Sequence, residues 1–517
     1  MKYVFLALFC CLLAASFGTW LTEPDTRAKV PVLYWVTDQN PARLEQVSLF
    51  HQWLEKNHLP KVELRLDMVN NRKITIQSVA GISGDIIDTA VPVACTIGYA
   101  ADVTEYAKNP QHPFDLSKTY PSLEPVLFDH GRQYGFPCNV SVLLYWINNE
   151  AFQKAGMALP PREWDFDTFE KMGKEFVKRA NVPGKRQTAF FSNSITDWFG
   201  DILLDTWTRS VGVGLFNETM TRCTLDDERY AQVMERIYRW TYVDHILPSA
   251  SDEASLAGGI DFEGRTSPTA MTMRWKNGQY AMISTGRWGL IRLREMTNQP
   301  RISVSNLPMG SFPNAIIGGR TAVVYAASKH PDLASLFLAF LASDDYSMHI
   351  VNDSDAMPPD PALTHIEAYR RPKGHENEWG SHEVESEIAE TISIAPSYSP
   401  YVAMDYVGIV RRQQFERVMA DQCTPREAAR ETAKLINAAF ERRLRESSEL
   451  RKKFNEACLV QKRIDAARKA GQEVPLEWIS DPFQKAYYIH MGWSKLRGKT
   501  PALAARNTAS WAPGGVK

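Results

Sequence analysis

The chain opens on Met1-Lys2, continues as an apolar run from Tyr3 to Leu21, and breaks at the polar Thr22-Glu23-Pro24-Asp25. Two readings fit this leader. Ser16-Phe17-Gly18 offers small residues where a cleavable signal peptide needs them, and the run is about long enough to span a bilayer as an uncleaved anchor. Cys10 follows the bulky Phe9, where a lipoprotein signal wants a small residue. Either reading places the rest of the chain outside the cytoplasm. No second apolar run of that length follows, so the body reads as soluble.

Beyond the leader the pattern alternates between strand and helix periods. Val30-Pro31-Val32-Leu33-Tyr34-Trp35-Val36 is apolar over a strand's length, as in a strand buried on both faces. Leu44, Val47, Phe50, Trp53 and Leu54 recur at helical spacing within 41–56, and Val62-Glu63-Leu64-Arg65-Leu66 alternates with period two. Strand, helix, strand predicts parallel pairing through a right-handed crossover. Gly84 to Thr89 predicts the next strand end, and 101–108 a short helix. Open α/β sheets bind ligands beyond the carboxyl ends of their strands, so the loops after Trp35 and Ile87 face any site.

Val140 to Ile147 predicts one strongly apolar strand, and 149–156 a short helix stopped by Gly156. A long amphipathic helix starts at Thr168 with Asp167 as its N-cap. Helices dominate 197–245. Short strands follow at Tyr280 to Ile283, Ile302 to Val304 and Thr321 to Tyr325, then a helix through Leu333, Leu336, Phe337, Phe340 and Leu341 and two helices within 405–446. From Ser447 the chain becomes highly charged, with Leu450, Phe454, Cys458, Ile464 and Ala467 forming an amphipathic stripe. The last stretch, 478–517, carries Trp478, Phe483, Tyr487, Tyr488, Trp493 and Trp511, and packing on the body is its expected fate.

Composition narrows the classes. The 517 residues are 44% hydrophobic and 23% charged with a formal net charge of -1, which excludes a disordered chain and gives no basic surface for nucleic acid. Two of the seven cysteines lie in the leader, and the other five are widely spaced, so neither a disulfide scaffold nor a zinc site is predicted. His375, Glu376, Glu378, His382 and Glu383 lack the HExxH spacing and read as a solvated acidic loop, with no metal. Gly498-Lys499-Thr500 lacks a correctly spaced upstream glycine and is no phosphate loop. GxSxG and GxGxxG are absent, so no enzyme and no cofactor is expected.

Five stretches then carry a family resemblance: Tyr34-Trp35-Val36-Thr37-Asp38; Gly131 to Pro137; Leu144 to Gly156 followed by Pro160-Pro161-Arg162-Glu163-Trp164; Asn277 to Met282 with Gly286-Arg287-Trp288; and Gly318-Gly319 with Ala327 to Pro331 and Phe337 to Ser343. In this order and spacing the chain resembles the family 1 extracellular solute-binding proteins of ABC transporters, the group containing the maltose-binding protein. Glu163 departs from the family's usual threonine. The resemblance implies an α/β, two-lobed periplasmic-binding-protein fold of type II (Venus-flytrap), with a helical C-terminal extension. Its expected divisions are a signal peptide or membrane anchor at 1–21, lobe 1 at 30–137 with 309–350, lobe 2 at 138–308 with 351–446, and the extension at 447–517. The chain is expected to cross between lobes near Cys138, Leu307 and Asn352.

The resemblance further implies a periplasmic or extracytoplasmic binder, tethered or exported, that captures a carbohydrate and delivers it to ABC permease subunits. An exported carbohydrate-active enzyme and a membrane-anchored sugar sensor are the alternatives. A sugar presents an apolar face and a ring of hydroxyls, so its site wants aromatic platforms beside carboxylate, amide and guanidinium groups. The expected ligand residues are Trp35 and Asp38 after the first strand, Asp88 ending the next one, and Asn139 and Ser141 at the crossover. Trp198, Arg287 and Trp288 follow from the family's second-lobe aromatics, Arg320 from the Gly318-Gly319 loop, and Tyr398 and Tyr401 from the Pro-Ser-Tyr-Ser-Pro-Tyr segment.

Overall fold

The computed structural model describes residues 30–38, 40, 42–69, 71–182, 188–192, 198–249, 251–252 and 268–495, with backbone alone at 71–72, 198–201 and 268–270. The leader and Trp511 lie outside these residues.

The first lobe is built on a five-stranded sheet in the order Glu63–Met68, Val32–Thr37, Ile86–Asp88, Thr321–Val324, Gly135–Pro137. The first three strands run parallel, joined through helix Ala42–Lys56 and helix Asn71–Val79. Thr321–Val324 enters antiparallel to both its neighbours. Strand Val32–Thr37, second in this order, is apolar because most of it is buried: Leu33, Trp35 and Val36 are wholly buried, while Tyr34 is exposed. One face meets the helices Ala42–Lys56 and Pro331–Leu341, where Trp35 lies 4.7 Å from Phe337, and Phe50 sits 5.3 Å from Phe337 and 5.5 Å from Phe340. Each such aromatic adds roughly 1.5–3 kcal/mol by leaving water.

The second lobe holds a four-stranded sheet in the order Ile302–Ser305, Leu144–Asn148, Tyr280–Thr285, Ala189–Ser192. A third, short sheet joins Ser393–Ile394, Ala315–Gly318 and Ser141–Val142. The run from Val140 to Ile147 is therefore two strands serving two sheets. Uniform apolarity hides that division, because both pieces are buried. The helix predicted from Thr168 starts earlier, at Phe166, and Asp165 rather than Asp167 caps it, accepting from the Thr168 N–H at 2.8 Å. Starting there lets Phe166 turn into the aromatic core of Phe169, Phe190, Phe191 and Trp240. Helices Met404–Met419 and Pro425–Glu446 pack on Glu228–Tyr242, the latter opened by a capping box of Thr424 and Glu427.

The return between lobes falls later than Leu307. Asn306 and Met309 donate to the carbonyls of Arg162 and Trp164, and Phe312 to that of Ser210. Residues 306–314 therefore stay on the second lobe, and the chain crosses through Ala315–Gly318 into Thr321–Val324. Cys138 to Val140 forms the outward crossing, and Met357 pairs with Val140 beside it. Linked segments of this kind permit hinge motion.

The extension forms helix Ser448–Lys469 and helix Pro482–His490. Both dock on the second lobe. Phe454 meets Phe440 and Tyr401, Phe483 meets Phe312, and the Ser480 and Asp481 N–H groups donate to the Glu218 carbonyl. Glycine makes the approach feasible. Gly212 holds φ +80, and a Cβ there would collide with the Tyr487 hydroxyl, while one on Gly214 would stand 2.8 Å from Phe483 Cδ1. Replacing Gly212 by alanine is expected to destabilise the protein by about 1–3 kcal/mol, visible as a lower melting temperature in calorimetry. An unchanged melting temperature would show that the extension docks without needing this close contact.

Candidate functional site

Parallel pairing brings Thr37 and Asp88 to one edge of the first-lobe sheet. There Asp88 is buried and collects donors. Its Oδ1 accepts from Trp35 Nε1 at 2.8 Å, and its Oδ2 from Thr37 Oγ1 at 2.5 Å and Arg320 Nη1 at 3.0 Å. The Arg320 guanidinium lies 5.4 Å from the Trp35 ring centre. Arg320 is fixed at its backbone too: its N–H donates to Asn139 Oδ1 at 2.9 Å, and its carbonyl accepts from Cys138 N–H at 2.7 Å. Gly319 precedes it because a Cβ at its φ of +147 would overlap the Asn139 carbonyl.

A second layer extends this network to solvent. Arg43, also buried, donates to Asp355 at 2.6 Å and Asp38 at 2.8 Å. Burial alone would raise the Asp38 carboxyl, and the Arg43 guanidinium more than reverses it, so Asp38 stays below the usual carboxylate range. Burial pushes the Cys138 thiol well up and keeps it protonated beside Asp88. Five expected ligand residues are thus gathered in one place: Trp35, Asp38, Asp88, Asn139 and Arg320.

What they do there differs from expectation. Trp35 is wholly buried and its indole N–H is committed to Asp88, so it offers no stacking face. Asp88 and Arg320 neutralise each other, as buried charges must. Asp38 remains half-exposed at the edge.

The gap between the lobes opens beside this edge. Helix Val91–Ile97, which follows Asp88, faces the segment Tyr398 to Asp405 of the second lobe. A cavity of about 80 Å³ lies between them, walled by Pro92, Val93 and Thr96 on one side and Tyr398, Met404 and Arg443 on the other. That is well below the roughly 300 Å³ or more that small-molecule sites usually enclose. Burial, with Asp205 and Asp405 nearby, pushes the Tyr398 phenol up to about 12, so it stays a neutral donor at physiological pH. Tyr99 hydrogen-bonds Thr89 at 2.9 Å, and burial and Asp405 across the gap raise its phenol as well. The loop rule for strand ends points to Pro92 and Val93 once Asp88 is placed. Nothing in the sequence pointed to Met404, Asp405 or Arg443.

The remaining expected residues lie elsewhere. Arg287 is fully buried and donates to the carbonyls of Ile350 at 3.1 Å, Val351 at 2.8 Å and Ala356 at 2.9 Å, with Tyr369 4.6 Å below it. It continues a second-lobe strand yet caps the end of helix Asp344–Asp353, which packs on Ala42–Lys56. Its guanidinium has no approach for a ligand. Tyr401 is buried against Phe454 at 5.2 Å and serves the core, not a site. Trp288 is half-buried with its ring over Gly286, and Ser141 is paired with Gly318 in the short sheet. Trp198 starts helix Trp198–Ser210, and its side chain is outside the described residues.

The His/Glu cluster is not a solvated loop. Glu378 and His382 are buried and paired, and Arg294 binds Glu378 through two nitrogens. Burial alone would raise Glu378, but His382 and Arg294 bring it down to about 2, while burial takes His382 down to about 4. Among the described residues no group of three or more His, Cys, Asp or Glu is placed to hold a metal, the five cysteines are free, and no helix is long and apolar enough to cross a membrane.

Glu385 is a further titratable group here, beside Arg287, which His382 also meets at 3.3 Å. It accepts from the Arg287 N–H at 3.3 Å, and burial pushes its carboxyl up to about 7. The folded value exceeds the ordinary one near 4.5, so the folded state holds this proton more tightly. Its stabilising contribution is complete below the ordinary value and is lost as pH rises toward about 7. Glu385→Gln is expected to raise the melting temperature at about pH 8 relative to the parent, and to leave it unchanged near pH 4. An equal shift at both ends would show that Glu385 does not titrate in this range.

Comparison with known proteins places these features. A model of the family described as bacterial extracellular solute-binding protein matches residues 68–348. An arabinooligosaccharide-binding protein of Halalkalibacterium halodurans is 25% identical over 217 residues, 41% of this chain and 43% of that protein, so the match spans less than half the relative's length. An ABC substrate-binding protein from Listeria monocytogenes, solved in complex with cycloalternan, superposes with a TM-score of 0.66 at 17% identity, over 79% of this chain and 99% of that one. A solute-binding protein from Thermotoga lettingae bound with α-D-tagatose gives 0.63 at 17% identity, over 79% and 100%.

Proposed function

The chain belongs to the bacterial extracellular solute-binding proteins, and from that premise we propose that it captures a carbohydrate between its lobes and delivers it to the permease subunits of an ABC importer. The observation that carries this reading is the crevice itself: a first-lobe helix, Val91–Ile97, closing on a second-lobe loop around Tyr398. A ligand that touches both walls favours the closed state, and that differential contact is what a permease can sense. Tyr398 supplies an aromatic face and a hydroxyl, Asp405 and Arg443 supply charged hydrogen-bonding groups, and Thr96 a hydroxyl from the opposite lobe. The sugars in the relatives named above support the carbohydrate class. The leader at Met1 to Leu21 takes the body out of the cytoplasm, cleaved or kept as a tether.

The test is a thermal-shift panel of mono- and oligosaccharides beside amino acids and polyamines. A bound sugar at a hundred times its Kd stabilises by about 2.7 kcal/mol and raises the melting temperature. Tyr398→Ala, or Thr96→Trp, which fills the crevice from an exposed helix position, is expected to weaken that sugar at least tenfold with the sugar left chemically intact. Stabilisation by an amino acid or polyamine alone overturns the carbohydrate class, and unchanged affinity in both variants overturns the crevice.

A further inference from the structure

A larger cavity, about 380 Å³, lies on the outer side of the second lobe, between the C-terminal extension and the segment 212–229. We propose that it is a second carbohydrate site, separate from the interlobe crevice and created by docking of the extension.

The cavity is built, not incidental. Its base is the carboxylate of Glu218, which accepts from the Tyr488 hydroxyl, from Gln461 Nε2 at 2.8 Å and from Arg468 Nη1 at 3.3 Å. Gly212 and Gly214 lie in its wall, where side chains would repel the extension. Helix Ser448–Lys469 and helix Pro482–His490 supply the opposite wall. Its size falls within the range of about 300–1,000 Å³ usual for small-molecule sites.

The lining names the guest. Three guanidinium groups face the space, and each already has a carboxylate: Arg222 with Asp226 at 2.6 Å, Arg229 with Asp227 at 2.7 Å, and Arg468 with Glu218 at 3.3 Å. The pairs cancel, and the one further carboxylate in the lining, the exposed Asp465, accepts from Gln461 Nε2 at 3.1 Å and adds acceptors rather than a strong field. Hydrogen-bonding capacity remains, because a guanidinium has five N–H donors and Arg222 directs one nitrogen to Asp226. Trp493 and Tyr487 add half-buried rings, and Arg468 stacks on Trp493 at 4.8 Å. Paired charges with spare donors beside indole and phenol rings suit a neutral, polyhydroxylated ring of one or two sugar units. This argument rests on the lining alone and does not need the crevice reading.

The experiment uses the full chain with maltose and arabinobiose as probes, in isothermal titration and saturation-transfer NMR. Thr96→Trp blocks the crevice, while Arg222→Ala and Asp465→Ala change exposed groups of the outer cavity, with melting curves confirming that each variant folds. One of the two sugars is expected to bind Thr96→Trp still, and to lose at least tenfold in affinity when Arg222→Ala or Asp465→Ala is added. The crevice site should be indifferent to Arg222→Ala. If Thr96→Trp abolishes all sugar binding, or if neither outer-cavity variant alters what persists, the outer site is overturned and the crevice reading stands. If neither sugar binds the Thr96→Trp protein at millimolar concentration, the proposal is likewise overturned.

Discussion

The fold turns on one buried carboxylate. Asp88 ends a central strand with almost no access to water, and an unpaired charge there would cost several kcal/mol. The solution recruits three side chains from two separate stretches of chain: Trp35 and Thr37 from the first strand, and Arg320 from the returning crossover. Arg320 in turn holds Cys138 and Asn139 of the outgoing crossover through its backbone. The strands of one lobe and two interlobe connections are thereby tied at one point. Both connections therefore meet the first-lobe sheet at the edge beside the crevice.

Much of the architecture was legible in residue pattern. Parallel strand-helix-strand order and the helix through Phe337 follow from apolar periodicity, which burial enforces directly, whereas the crossing near Cys138 was implied only by the family resemblance. The division of Val140 to Ile147 was not legible, because a run buried throughout carries no mark of where one sheet hands over to another. The later return crossing was hidden similarly: residues 306–314 cling to the second lobe through backbone bonds and the Asn314 side chain on Thr206, none of which follows a strand or helix period.

The sequence pointed to the edge where several polar residues gather, and pointed less well to what each of them does there. Polar residues at strand ends are drawn to one edge by topology alone, and Trp35, Asp88, Asn139 and Arg320 do meet there. Whether such a group faces a guest or a neighbour depends on partners distant in sequence. Arg287 shows this most clearly: an arginine beside a tryptophan suits a sugar, yet it reaches the carbonyls of residues 350, 351 and 356 and fastens the second-lobe strand to a first-lobe helix end. Glu385 accepts from the Arg287 backbone N–H, so that fastening includes a buried carboxyl that titrates.

The extension touches only second-lobe partners in every contact described above, from Glu218 to Phe312 and Tyr401. Any change in the angle between the lobes would therefore carry it with the second. A dye or spin label on its exposed surface, paired with another on helix Ala42–Lys56, would sit on opposite jaws by construction. The change in their separation would read out opening and shutting directly, without a label near the crevice and without perturbing the buried arginine–carboxylate knot at its edge.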